Sequence, residues 1–163
     1  MKKFLGEWCS APPVSIYRMI FSVITAFAVI FCFDFVVHAV LLMPCYLATA
    51  DVWNTPQEMT SRQLWYPVVQ LMSAITISVF YVCWRCRGGA HSSVLSRRKR
   101  YSDGLGFGGF AGLLSGISMA GFYIYLPIPG TIAAAWLVSE LVKGMAVGLA
   151  LTAVYPSTST SNA

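Results

Sequence analysis

Residues 16–43 of the chain are IYRMIFSVITAFAVIFCFDFVVHAVLLM, and this stretch decides the fold. It is longer than the about 20 apolar residues that cross a lipid bilayer as a helix. It is also longer than the apolar part of a secretory signal peptide, about 7–15 residues, although Ala48-Thr49-Ala50 resembles a cleavage site. We therefore expect a retained membrane-spanning helix that contains Asp34 and His38.

Three more apolar stretches follow, over residues 66–84, 105–126 and 131–155. The chain has 163 residues and is 57% hydrophobic and 10% charged, whereas an average soluble domain is about 25% charged. This composition excludes a disordered chain, a coiled coil and a small soluble enzyme. The sequence predicts an all-α integral membrane protein, a single four-helix antiparallel transmembrane bundle over residues 1–163 with a disordered tail at 156–163.

Basic residues fall on one side of this predicted topology. Nine Lys and Arg residues lie in or beside the N-terminal segment and the connection between the second and third spans, whereas Arg62 stands alone on the other side. The positive-inside rule then predicts that both termini are cytoplasmic. The basic run at 96–100 also resembles an anionic-lipid or nuclear-localisation patch. No folded basic face accompanies it, so we expect no nucleic-acid partner.

Glycine recurs at every fourth position of the third span, at Gly104, Gly108, Gly112 and Gly116. Residues four apart share one side of a helix, so these four form a smooth surface, here called the glycine face. Small residues let transmembrane helices approach closely and gain van der Waals contact. We expect the glycine face to pack within the chain, and a contact with a partner subunit is the alternative.

Ionisable residues inside the predicted spans are the most informative positions. Asp34 and His38 are four residues apart in the first span, and Glu140 and Lys143 are three apart in the fourth. Each pair shares a helix face, and the Asp34 carboxylate is within reach of the His38 imidazole. Asp34 and Glu140 both lie about 15 Å from the outer helix ends at 1.5 Å per residue. The four residues are expected to meet if the first and fourth helices are neighbours.

Two interpretations of this buried cluster are open. As a functional site it is a proton relay or ligand site, because His38 titrates near neutral pH and two carboxyls that share one Lys need not both be ionised. As a structural element it is a buried ion pair that fixes how the helices dock. Charged residues inside a membrane are costly, so both interpretations require that they face the protein interior.

Other chemistry has little support in the sequence. Cys83 and Cys86 form a Cys-x-x-Cys pair, but a second pair of cysteine or histidine ligands is missing, so we predict neither a metal nor a cofactor. Nucleophile, zinc-protease and phosphate-loop motifs are also missing, so we predict no catalytic residue.

Several residues together form a pattern: Asp34, Phe35, His38, Leu41, Leu42, Tyr46, Trp53, the turn PIPG at 127–130 and Trp136. This pattern resembles a group of small bacterial four-span membrane proteins that have no assigned activity. The resemblance covers about residues 16–155 of the chain. It implies a bacterial inner-membrane setting and implies no ligand or catalytic residue.

The sequence favours a multi-pass membrane protein that is not an enzyme, and a membrane enzyme with a bound cofactor or metal is the alternative with the least support. The first functional hypothesis is an accessory or assembly component of a membrane complex, with other membrane subunits as partners. The alternative is a small homo-oligomeric transporter or proton-coupled channel that uses Asp34, His38, Glu140 and Lys143. In both cases the lipid bilayer is the surrounding medium.

Overall fold

The computed structural model describes residues 15–87 and 97–155, and every regular element in these two ranges is helical. The predicted tail at 156–163, the N-terminal segment at 1–14 and residues 88–96 of the basic connection lie outside the described residues. The helices, in chain order, are α1 Ile16–Asp34, α2 Met43–Leu47, α3 Pro56–Arg62, α4 Trp65–Arg87, α5 Arg97–Ala120 and α6 Gly130–Val154. A π-helical segment, Phe35–Leu41, continues α1, and a 3-10 turn, Gly121–Ile124, continues α5.

Four of these helices are long and apolar enough to cross a membrane. Their spanning portions are Ile16–Leu41, Trp65–Arg85, Lys99–Ile124 and Gly130–Val154. The helix α5 begins at Arg97, within the basic run that we assigned to a connection. Arg and Lys are good helix formers, so the helix extends past the apolar stretch without penalty.

The widest departure from a regular helix follows Asp34. In the π-helical segment the backbone hydrogen bonds reach one residue further, and the Leu42 N–H donates to the Val37 carbonyl. Pro44 lies just beyond, in the first turn of α2, and carries no N–H that could extend the α1 ladder. The π-helical segment therefore begins directly after Asp34, the residue that carries the buried carboxylate.

Local signals set the connections between α1 and α4 and between α5 and α6. The helix α3 begins at a capping box in which Thr55 and Glu58 satisfy each other's backbone N–H groups. Between α5 and α6, Pro129 is the N-cap of α6, and Ile128 between the two prolines is buried against Ile132 and Trp136. This short turn holds the ends of α5 and α6 together.

The closest helix contact lies between α5 and α6, through the glycine face. Gly104 lies against Gly148 and Thr152, Gly108 against Gly144, Gly112 against the Glu140 carbonyl, and Gly116 against Leu137. A Cβ atom at any of the four glycines would overlap these backbones. Contact of bare backbones supplies the van der Waals attraction that holds transmembrane helices together. The structure thus uses the glycine face inside the chain.

We expect Gly108→Ala to destabilise the protein by about 1–3 kcal/mol, because its methyl group would push α5 away from the Gly144 carbonyl. Gly106→Ala is the matched control, since a Cβ there meets nothing within 4 Å. Thermal unfolding of both variants in the same detergent measures the difference. Equal stability of the two variants would contradict this packing.

Candidate functional site

The centre of the candidate site is the Lys143 ammonium, which bridges carboxylates on two helices. Its Nζ donates to Asp34 Oδ1 at 2.8 Å and to Glu140 Oε1 on its own helix. Asp34 is the last residue of α1, and Glu140 lies one turn before Lys143 in α6. The ammonium therefore ties the first spanning helix to the last.

Two neutral side chains complete the site from the remaining spanning helices. Gln70 of α4 donates from Nε2 to Asp34 Oδ2 at 2.9 Å, and Ser115 of α5 lies 2.8 Å from Glu140 Oε2. Each of the four carboxylate oxygens thus has one hydrogen-bond partner. The proton cluster, as we call Asp34, Gln70, Ser115, Glu140 and Lys143, contains one residue or more from every spanning helix.

The proton cluster is removed from the surface of the protein. Asp34 and Glu140 are buried, and the Lys143 side chain is 14% exposed. With every group ionised, two carboxylates and one ammonium carry a net charge of minus one. An uncompensated charge in a membrane interior costs several kcal/mol. The cluster therefore contains one more acidic group than its single ammonium compensates.

His38 belongs to a neighbouring network rather than to the proton cluster itself. Its Nδ1 lies 2.7 Å from the Tyr46 hydroxyl, which also accepts a hydrogen bond from Trp136 Nε1 at 2.8 Å. Burial raises the pKa of Tyr46 above its ordinary value of 10.0, so the phenol keeps its proton at neutral pH. The arrangement that uses every donor has Trp136 donating to Tyr46 and Tyr46 donating to Nδ1 of a neutral His38.

The expected hydrogen bond between Asp34 and His38 is therefore replaced. The structure gives His38 the Tyr46 partner, while the Asp34 oxygens accept from Gln70 and Lys143. The cause is the π-helical segment that begins directly after Asp34, because its wider turn moves the fourth residue off the face that a regular α-helix predicts. His38 still lies within electrostatic range of Asp34, Lys143 and Glu140.

Aromatic rings cover the outer side of His38. Tyr46 packs edge-on against Trp53, with ring centroids 5.3 Å apart, and Trp53 packs against Trp136 at 6.2 Å. Trp53 is fixed by its Nε1, which donates to Thr49 Oγ1 at 3.0 Å. His38, Tyr46, Trp53 and Trp136 form the aromatic cap, which reaches from the His38 side of the proton cluster to the connection after α1.

On the other side of the proton cluster the interior is apolar. Ile30, Ala74 and Val147 are buried, and each lies four residues from a cluster member on its own helix. Four residues make about one helical turn of about 5.4 Å. These three residues form an apolar collar that closes the bundle beside the cluster.

A second polar network lies beyond the apolar collar. The Tyr81 hydroxyl lies 2.9 Å from Thr152 Oγ1, and the Tyr155 hydroxyl donates to Ser22 Oγ at 3.3 Å. Arg85 Nη1 donates to the Tyr155 carbonyl at 2.8 Å, beside the C-terminal end of α6. These contacts satisfy polar groups at the helix ends and are separated from the proton cluster by the collar.

The structure describes the side chain of one cysteine of the Cys-x-x-Cys pair. Cys83 has a free thiol, and the Cys86 side chain lies outside the described part of the chain. Among the described residues there is also no group of three or more His, Cys, Asp or Glu side chains placed to hold a metal ion.

Sequence analysis missed Gln70 and Ser115 as members of the proton cluster. Gln70 is an amide inside an apolar span, and that rarity was a signal in the sequence. Ser115 gave no such signal, because serine is common in transmembrane helices. Its position follows from the glycine face, which brings α5 close enough to α6 for Ser115 to reach Glu140.

No family model, curated protein or solved structure matches this chain. The resemblance to small bacterial four-span membrane proteins therefore stays a prediction from the residues quoted above. The function has to be argued from the site itself.

We expect Lys143→Met to destabilise the protein by about 3–5 kcal/mol, because removal of the ammonium leaves two buried carboxylates without a counter-charge. Adding Asp34→Asn to this variant removes one of the two and is expected to restore part of the loss. Lys143→Arg, which keeps the charge, is the control. Thermal unfolding in one detergent compares all three variants. Wild-type stability of Lys143→Met would contradict the bridge.

Proposed function

We propose that this chain is a non-enzymatic multi-pass membrane protein that conducts protons through its buried cluster, working as a small homo-oligomeric proton channel. The observation that carries the proposal is the ratio of two carboxyls, Asp34 and Glu140, to one ammonium, Lys143. A bridge that only docks two helices needs one acid and one base. The second acid gives the cluster a place for a proton that is gained and lost inside the membrane.

We place the entry of protons on the side of the cluster that the aromatic cap covers. His38 is the ordinary proton carrier at neutral pH, and it lies between the Asp34 side of the cluster and the Tyr46 hydroxyl. Tyr46 is next to Trp53 in the connection after α1. A proton that enters past the cap meets His38 before it meets a carboxyl.

The apolar collar requires a movement for the second half of the path. The ion pair between Lys143 and Asp34 joins α6 to α1, because the negative charge of Asp34 attracts the ammonium. A proton on the cluster removes one of the two negative charges that hold the ammonium, so the helices around it can shift at Ile30 and open the collar. We place the widened path at a contact between copies of the chain, because four spanning helices packed around one buried centre leave little room for a path within a single copy.

The same proposal includes the finer topology. Contacts of Gly104 with Thr152 and of Gly116 with Leu137 favour opposite directions for α5 and α6. Contacts of Ser22 with Tyr155 and of Asp34 with Lys143 favour opposite directions for α1 and α6 as well. We propose an antiparallel bundle with both termini in the cytoplasm, on the charge asymmetry of the sequence.

Proton flux into liposomes tests the proposal. The purified chain is reconstituted with a pH-sensitive dye inside, and a potassium diffusion potential drives proton entry. We expect flux with the wild-type protein and a loss of at least tenfold with Asp34→Asn or Glu140→Gln. Asp51→Asn is the matched control, since Asp51 is exposed and outside the spans. Wild-type flux equal to that of empty liposomes would contradict the proposal.

An accessory or assembly component of a membrane complex is the second candidate. The observation that favours it is that every carboxylate oxygen of the cluster already has a partner, as in a bridge that only fixes helix docking. The glycine face is used inside the chain, so a partner would have to bind elsewhere. Native mass spectrometry after gentle extraction separates the candidates: copies of this chain alone support the channel, and a fixed ratio with other subunits supports the accessory component.

A further inference from the structure

The two carboxyls of the proton cluster differ in the groups that face them. Asp34 Oδ2 faces the Nε2 amide of Gln70, and an amide nitrogen can only donate. Glu140 Oε2 faces the Ser115 hydroxyl, which can donate or accept. Both remaining oxygens face the same Lys143 ammonium, so the difference between the carboxyls lies in Gln70 and Ser115.

A protonated carboxyl needs an acceptor for its O–H. At Glu140 this acceptor is available without movement of a heavy atom, because the Ser115 hydroxyl can rotate and accept the proton of Oε2–H. The serine proton then turns to a backbone carbonyl of the preceding turn, as helical serines commonly do. Ser73 and Ser118 make this bond in the same protein, to Val69 and Leu114 at 3.0 Å.

At Asp34 the same step is obstructed. A proton on Oδ2 would point at an N–H group of Gln70, which would leave two donors facing each other in a buried site. Rotation of the Gln70 amide by half a turn would be required first. Gln70 is 4% exposed, so this rotation would take place within a packed interior.

We infer that Glu140 is the carboxyl that binds the proton. Ser115 is the positioning residue, because its hydroxyl can bond the Glu140 carboxyl in both the ionised and the protonated state. This inference rests on the proposed function and names the residue within the cluster that performs it. In the ionised state Ser115 donates to Glu140, and in the protonated state Glu140 donates to Ser115. Asp34 stays ionised and keeps the Lys143 ammonium in place in both states.

The charged and titratable groups around Glu140 agree with this assignment. Lys143 lies on its own helix, Asp34 and His38 on the first spanning helix, and Tyr66 on the second, within electrostatic range. Protonation of Glu140 leaves Asp34 and Lys143 as a neutral pair of one acid and one base. The cluster then has the composition that costs least inside a membrane.

Isotope-edited infrared spectroscopy of the full-length wild-type chain in lipid tests the inference. Two samples are made, one with ¹³C-labelled glutamate and one with ¹³C-labelled aspartate, and the carbonyl band of a buried protonated carboxyl is followed as pH is lowered. We expect this band to shift in the glutamate-labelled sample and to stay in place in the aspartate-labelled one. A shift in the aspartate-labelled sample alone would overturn the inference and leave the proton cluster intact. Absence of any titrating buried carboxyl would overturn the proposed function as well.

Ser115 variants give the second readout. Ser115→Ala removes a partner from both states of Glu140, but the bond to the ionised carboxylate is the stronger of the two, so the carboxyl should hold its proton more tightly, by about tenfold in proton affinity. Ser115→Thr keeps the hydroxyl and should titrate like the wild type. A titration midpoint that is the same in all three proteins would contradict the role of Ser115.

Discussion

The structure depends on one ammonium group that holds two carboxylates from different helices inside the membrane. Without Lys143, the carboxylates of Asp34 and Glu140 would repel each other across the contact between α1 and α6. With it, the first and last spanning helices are tied at mid-span, and Gln70 and Ser115 connect the other two helices to the same point. The four spans thus share one polar centre, and the apolar collar and the aromatic cap lie on either side of it.

Backbone packing and electrostatics are coupled at this centre. Gly112 lies against the carbonyl of Glu140, and Gly116 lies against its Cβ. A larger residue at either glycine would move α5 away, and Ser115 would lose its contact with the acid. The glycine face therefore does more than hold two helices together, because it places the hydroxyl that bonds the Glu140 carboxylate. The geometry of the site is a property of the packing as much as of the charges.

Much of the fold and of the site could be predicted from the sequence. The rest could not, and the reasons are physical. Apolar length gave the four spanning helices within a few residues, because bilayer thickness limits span length. Helical spacing and depth anticipated that Asp34 would meet Glu140 and Lys143. The predicted hydrogen bond of His38 with Asp34 was wrong, because the π-helical turn after Asp34 follows from packing that sequence periodicity does not reveal. Ser115 was missed for a similar reason, since its role exists only once α5 and α6 are in contact.

The most direct measurement is a proton count on the purified protein in lipid nanodiscs, by potentiometric titration above the range in which exposed carboxyls titrate, about pH 4. It compares the wild type with the Asp34→Asn, Glu140→Gln, Lys143→Met variant, in which the three charged groups of the cluster are neutral. A cluster that binds one proton predicts that the wild type takes up close to one proton per chain more than the variant. Identical titration curves would mean that the cluster is a fixed ion bridge, and would contradict a proton-binding function.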